Sequence, residues 1–149
     1  MSAAITLRTA REEDLEFLFE LLKASLGPYV EATFGPWQEE EQRSRFFAST
    51  RPETHQVVEL EGRPVGCLAV ARRPGEIRLQ RVFLLPELQN RGIGSQLVEG
   101  LLEEARCAGL PLRLRVFRVN PAQRLYRRLG FVVTGETDTH VLMEHVPPR

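Results

Sequence analysis

Cysteine is close to absent from this sequence, with Cys67 and Cys107 the only two in 149 residues. Neither stands at metal-ligand spacing from His55, His140 or His145, so no metal site and no disulfide framework is expected. Two unpaired thiols, and an opening Met-Ser-Ala-Ala-Ile without the charged and apolar regions of an export signal, predict a cytoplasmic protein. Net charge is missing too: 20 basic side chains offset 20 acidic ones. That removes any global pull toward nucleic acid or an anionic membrane surface. No apolar run approaches the ~18 residues of a membrane span. Repeats, linkers and low-complexity segments are lacking as well. What remains is 42% apolar and 27% charged, ordinary for a globular protein, at a length suited to one domain over residues 1–149.

The most informative stretch runs from Leu79 to Ala108. An apolar run, Val82 to Leu85, reads as a buried strand and is stopped by Pro86. Gln89-Asn90-Arg91-Gly92-Ile93-Gly94-Ser95 follows. From there Ile93, Leu97, Val98, Leu101, Leu102 and Ala105 recur at helical spacing, with Glu99, Glu103, Glu104 and Arg106 on the other side. The first turn of a helix has unpartnered N–H groups and the positive end of the dipole, which makes it an anion site. Gly92 and Gly94 would let a diphosphate approach the backbone, and Arg91 adds charge. The run is no Walker loop, because no Gly-Lys-Ser/Thr follows, and it lacks the third glycine of a dinucleotide fingerprint. A tight structural turn is the alternative.

In chain order, Ile5 to Arg8 alternates as a short strand. Thr9 and Glu12 form a Thr-x-x-Glu capping box that predicts a helix with Leu15, Leu18, Phe19 and Leu22 inward, ended by Ser25-Leu26-Gly27-Pro28. Tyr29 to Trp37 has no period and is expected to be irregular, its aromatics either lining a pocket or anchoring the loop. Gln38 to Ala48 suggests a second, mostly exposed helix. Strands follow at His55 to Leu60, Pro64 to Ala71 and Glu76 to Leu85, joined by short turns that suit antiparallel neighbours. After the central helix, Leu112 to Val116 alternates as a strand, placed parallel to the one before the helix by the crossover rule. Asn120-Pro121 starts a short helix carrying Leu125, Tyr126 and Leu129, closed by Gly130. Strands Phe131 to Thr134 and His140 to Glu144 come last. The tail, His145 to Arg149, is expected to fray.

Gln89-x-x-Gly92-x-Gly94 resembles the Gln/Arg-x-x-Gly-x-Gly/Ala signature of the GCN5-related N-acetyltransferases. Pro86 and the block from Asn120 through Tyr126 to Gly130-Phe131 strengthen the resemblance, as does the order of elements. The resemblance implies an α/β fold: a mixed, mostly antiparallel sheet of about seven strands flanked by about four helices. It implies acetyl-CoA as cosubstrate, its pyrophosphate held by backbone N–H groups of Gln89, Asn90, Arg91, Gly92, Ile93, Gly94 and Ser95. A bulge in the central strand would splay it from the next, leaving Val82, Phe83 and Leu84 to hydrogen-bond the pantetheine arm, with Asn120 helping. Asn120 stands one residue closer to Tyr126 than in many members, so a role as helix cap alone stays open.

The reaction so implied is direct attack of a primary amine, on a small molecule or a protein, on the thioester. A strand amide such as that of Leu84 would polarise the carbonyl, and Tyr126 would be the general acid for the departing thiolate. A core tyrosine is its alternative. Where some relatives carry a glutamate on the central strand, this chain has Arg78, Gln80 and Arg81, so the base is left among Glu31, His140, His55 and water. Tyr29, Glu31, Phe34 and Trp37 would form the acceptor site, with Glu31 attracting a cationic amine. Many relatives pair through late strands, which leaves monomer and homodimer both open. Two other functions also stay open: an acyl-CoA-binding sensor or interaction module without turnover, and a nucleotide-binding structural module. The missing third glycine argues against the latter.

Overall fold

The structure, a computed structural model, describes residues 4–147. Residues 1–3, part of the segment read for an export signal, and residues 148–149 of the tail expected to fray lie outside the described residues.

Strands β1 (Ile5–Thr9), β2 (His55–Leu60), β3 (Arg63–Arg73) and β4 (Glu76–Leu84) pair antiparallel in sequence order. β4 then meets β5 (Leu112–Phe117) in parallel, and β7 (His140–His145) and β6 (Val132–Glu136) complete the order β1-β2-β3-β4-β5-β7-β6. A parallel neighbour needs a crossover, and α3 (Ile93–Ala108) supplies it. The expected mixed seven-stranded sheet with four α-helices is thus observed among the described residues.

Alternation divides the core into two layers. Ile77, Leu79, Leu112, Leu114, Val116, Val141 and Met143 cluster with Leu97, Val98 and Leu101 of α3 on one face. On the other, Val57 and Cys67 meet Leu15, Leu18, Phe19 and Leu21 of α1 (Leu15–Phe34) and Phe46 of α2 (Glu39–Ser49). Cys67 is buried there, and loss of hydration pushes its thiol up to about 12, so it is an inert core residue.

The chain departs from expectation in its first half. Thr9 ends β1 rather than capping a helix; the strand pairing is extended by Ala10 N–H donating to the His55 carbonyl at 2.9 Å. The cap is made two residues later than Thr9 and Glu12 would have it made, where Asp14 accepts from the Arg11 N–H at 2.7 Å. The Arg8 guanidinium grips the same carboxylate at 2.8 and 2.9 Å and holds it below the usual range. The larger correction is α1, which runs through Pro28 to Phe34 instead of stopping. Pro28 has no N–H for the Ala24 carbonyl, and an interior proline costs a helix about 3 kcal/mol. Ala24 is exposed, so water can satisfy that carbonyl, and the turn around Pro28 is held by packing: Gly27 is buried close to Trp37.

Two irregularities in β3 and β4 shape the site. A Cβ on Gly66 would lie 2.6 Å from the Phe83 carbonyl oxygen and 3.3 Å from Val58 Cβ. The oxygen belongs to the β3–β4 ladder and cannot retreat, so Gly66→Ala is expected to destabilise by about 3 kcal/mol, the upper range for overpacking. Thermal melting checks it; a shift under about 2 °C would show that the strands part freely there. In β4, Ala69 pairs with Arg81 and Val70 with Leu79, so Gln80 is an inserted residue, a β-bulge. Because side chains alternate, one extra residue exchanges the faces. Before the bulge Ile77 and Leu79 face α3; after it Val82 and Leu84 do, while Arg81 and Phe83 turn toward α1 and α2.

Candidate active site

β4 and β5 pair only from Ile77–Leu79 to Leu112–Leu114 and then part. Past that point β4 has an open edge. Leu85 N–H donates to Val65 of β3 at 2.9 Å, so by backbone alternation the N–H and C=O groups of Leu84 and Val82 point the opposite way, into the opening. Phe83 faces its neighbour β3, its carbonyl lying against Gly66. Among the described residues only the Leu84 carbonyl has partners, Ser25 Oγ at 3.4 Å and Gln89 Nε2 at 3.3 Å. The opening widens into a cavity of about 1080 Å³, reaching from the Gln89–Ser95 turn to Tyr126 and His140.

The turn has the conformation its glycines allow. Asn90 and Gly92 sit at φ of 64° and 82°, and Gly92 caps α3 without any side-chain hydrogen bond. The first bond of the helix is Gln96 N–H to the Gly92 carbonyl. The N–H groups of Ile93, Gly94 and Ser95 therefore have no acceptor among the described residues. Three donors and a sixteen-residue dipole face outward together. The Gln89 side chain ties the turn to Leu84.

On the far wall, α4 (Gln123–Arg128) is preceded by Asn120, whose Oδ1 accepts from Ala122 N–H at 2.8 Å. Asn120 thus closes a turn ahead of α4, whose N-cap is Ala122, yet it also borders the cavity, and its amide NH₂ has no protein partner among the described residues. Tyr126 is 6% exposed, packed edge-on against Phe131 with ring centroids 5.6 Å apart. Its hydroxyl has no protein partner either, and the one fully enclosed unpartnered polar side-chain atom among the described residues is Thr50 Oγ1. The phenol therefore keeps contact with the cavity. Burial pushes it up to about 12, so it stays protonated.

Of the expected acceptor residues, Tyr29 and Phe34 line the cavity, and Phe34 meets Phe117 edge-on at 6.2 Å. Glu31 and Trp37 do not. The continuation of α1 leaves Glu31 exposed on the outside of the helix. Trp37 lies beyond the helix end, packed toward Phe19 and donating from Nε1 to Glu39 at 2.9 Å. Of the base candidates, His55 has both ring nitrogens engaged, Nδ1 with Arg51 O at 3.1 Å and Thr54 Oγ1 at 2.9 Å, Nε2 with Arg81 at 3.2 Å. His140 stacks on Phe117 at 4.4 Å and uses only Nδ1, at 2.7 Å from Thr139 Oγ1. Burial, then the Arg115 charge, lower its pKa and keep it neutral at pH 7.

Arg81, Arg115 and Ser25 went unassigned in the sequence. The spacing Ile77, Leu79, then Val82, Leu84 breaks the period of two and marks the bulge that turns Arg81. Ser25 carried no such signal, because its partner is 59 residues away. Among the described residues no helix is long and apolar enough to cross a membrane, and no group of three or more His, Cys, Asp or Glu side chains is gathered to hold a metal ion.

Comparison with known proteins agrees with this geometry. The acetyltransferase (GNAT) family model matches residues 15–131. An "IAA acetyltransferase" of Azospirillum brasilense is 37% identical over 83 residues, 53% of this chain and 54% of that protein. The match thus spans about half the length of that curated relative. Among solved structures, the PaiA N-acetyltransferase from Thermoplasma acidophilum in complex with coenzyme A superposes with a TM-score of 0.75 at 22% identity, covering 96% of this chain and 99% of that one. The ribosomal-protein-S18-alanine N-acetyltransferase from Escherichia coli gives 0.68 at 22% identity, over 98% and 96%. With a family match over most of its length, the chain belongs to the acetyltransferase (GNAT) family.

Proposed function

We propose that the chain transfers an acetyl group from acetyl-CoA to an amine nitrogen. The observation that carries this reading is the open edge of β4 lying beside the uncapped N-terminus of α3 in one cavity. An extended arm with amides fits the first, and a diphosphate fits the second. The coenzyme A bound by the Thermoplasma protein supports it.

Val82 offers its backbone N–H and C=O to the arm, with Phe83 holding it in register against β3 and Leu84 continuing the open edge toward the thioester. The turn from Gln89 through Asn90, Arg91, Gly92 and Ile93 to Gly94 and Ser95 takes the diphosphate, and the Asn120 amide is free to meet the arm. Acetyl-CoA supplies the activated thioester and the sulfur that leaves. The Leu84 N–H, pointing into the opening, stabilises the developing oxyanion. Tyr126 gives its phenolic proton to the departing sulfur. His140, neutral and with Nε2 free, accepts the proton the amine must lose. Tyr29 and Phe34 flank the acceptor.

Thiol release from acetyl-CoA across a panel of amines tests the reading. We expect turnover with kcat/KM rising as pH increases through a His140 pKa below its ordinary 6.5, because only the neutral imidazole accepts a proton. His140→Gln should erase that acid limb and cost about 100-fold in rate. An unchanged limb would assign the base to water.

A further inference from the structure

We infer that the acceptor carries an oxyanion, a carboxylate or phosphate, and that Arg81, with Arg115 opposite, is the group that reads it. This names the acceptor for the transfer reading above and rests on it for the word acceptor; the anion site itself stands on the geometry alone.

The Gln80 bulge places the cation. By exchanging the faces of β4, the bulge sends Arg81 to the α1 and α2 side of the sheet, where every preceding odd position would have sent it toward α3. The pairing puts His55, Ala69 and Arg81 in one row across β2, β3 and β4. Ala69 is small enough for the arginine to reach over it, and an Arg81 η nitrogen lies 3.2 Å from His55 Nε2. His55 Nδ1, the protonated nitrogen in this arrangement, donates to the Arg51 carbonyl. Burial and then the Arg81 charge lower the His55 pKa, so it is a neutral acceptor rather than a counter-ion. The guanidinium lies over the Phe46 ring at 5.4 Å. It is held in place, desolvated, and not neutralised.

Charge placement around it is one-sided. A second cavity of about 740 Å³ adjoins the first and shares with it Leu79, Gln80, Arg81 and Arg115. Arg51, Arg73 and Arg78 also line it, and they have partners in Glu53 and Glu76. Arg81 and Arg115 have no carboxylate at salt-bridge distance among the described residues. Among the described residues no Asp or Glu lines either cavity. A cationic acceptor would find nothing to pair with there, which replaces the expectation that Glu31 draws one in. An acceptor with a carboxylate or phosphate would neutralise a cation the fold leaves unpaired, and a planar guanidinium binds such groups in two-point fashion. The same positive surroundings lower the pKa of the acceptor's ammonium, which eases its deprotonation where no carboxylate base is present.

The acetyl-CoA-loaded chain is tested with amines that differ by one anionic group: phenylalanine against phenylethylamine and O-phosphoethanolamine against ethanolamine, with spermidine as the polycation. Thiol release reads turnover, and calorimetry on the CoA-loaded chain reads binding without turnover. The anionic member of at least one pair should lead by about 10-fold or more in kcat/KM, and Arg81→Gln should erase that lead through KM. The two pairs tell carboxylate from phosphate. Affinity for acetyl-CoA should be unchanged in the variant, and its melting temperature should rise, because an unpaired desolvated cation has been removed; an arginine serving only structure would lower it. A preference for spermidine or the plain amines, or equal loss for both members in Arg81→Gln, overturns the inference. Arg81-dependent binding of the anionic amines without any turnover keeps the anion site and sinks the transfer reading. Turnover without anion preference does the reverse, and neither binding nor turnover sinks both.

Discussion

Gly94→Glu is expected to abolish acetyl-CoA binding, weakening it by about 100-fold or more, while the protein melts as before. Gly94 is the second residue of α3, and its N–H is one of the three without an acceptor. A Cβ there meets only Leu84 Cδ1 at 3.9 Å and Leu125 Cδ2 at 4.0 Å, which are ordinary contacts. A carboxylate in the first turn also suits the dipole, so the fold gains rather than loses. A diphosphate arriving at the same turn meets a like charge, and such juxtapositions cost several kcal/mol, at 1.4 kcal/mol per tenfold. Gly92 is the poorer position for this test, because its φ of 82° strains any side chain. Calorimetry with the parent, Gly94→Glu and the equally bulky but uncharged Gly94→Gln separates repulsion from obstruction. Equal binding by the parent and Gly94→Glu would take the phosphate away from α3, and no binding by the parent would leave the transfer reading without its cosubstrate.

Where the chain repeats a strong period, the sequence showed the fold. α3 carries an unbroken apolar stripe that buries one face, and β2, buried on both faces, was legible to the residue because the Glu61-Gly62 turn ends it. Pro28 misled for the opposite reason. Its local cost is real, but Gly27 and the residues around it are packed by Trp37 and the sheet, and that tertiary gain is invisible in the segment itself. One misplaced helix end then carried Glu31 and Trp37 out of the expected acceptor site. The turn at Gly92 was legible because its donors lie consecutively in the chain. The Arg81 site was not, because it is assembled from a bulge, a small residue on β3 and a histidine on β2, joined only by register.

The same register gives the sheet two differently equipped faces, one for each of the two proposed ligands. Val82 and Leu84 belong to the α3 side, while Arg81, Arg115, Phe117 and His140 belong to the side of α1 and α2. The parted β4 and β5 are the passage between them. In the proposed reaction a donor held from one face and an acceptor held from the other would meet in that passage, near Leu84.

Tyr126→Phe is expected to lower kcat by about 100- to 1000-fold, within the range of a lost proton donor, with acetyl-CoA affinity unchanged. Phenylalanine keeps the edge-on contact with Phe131, and the lost hydroxyl had no protein partner among the described residues, so stability should shift by less than about 0.5 kcal/mol. What the variant loses is the proton that the proposed reaction gives to the departing sulfur, on a phenol whose pKa burial pushes up to about 12. Steady-state rates and calorimetry on the same preparations distinguish three outcomes. A fall in kcat with intact binding makes Tyr126 the acid. Parental rates in the variant reduce it to a core residue and give the proton to water. A parent that binds acetyl-CoA yet turns over no amine leaves a family member that holds the cosubstrate without using it, and the neutral phenol would then be a relic of packing rather than of chemistry.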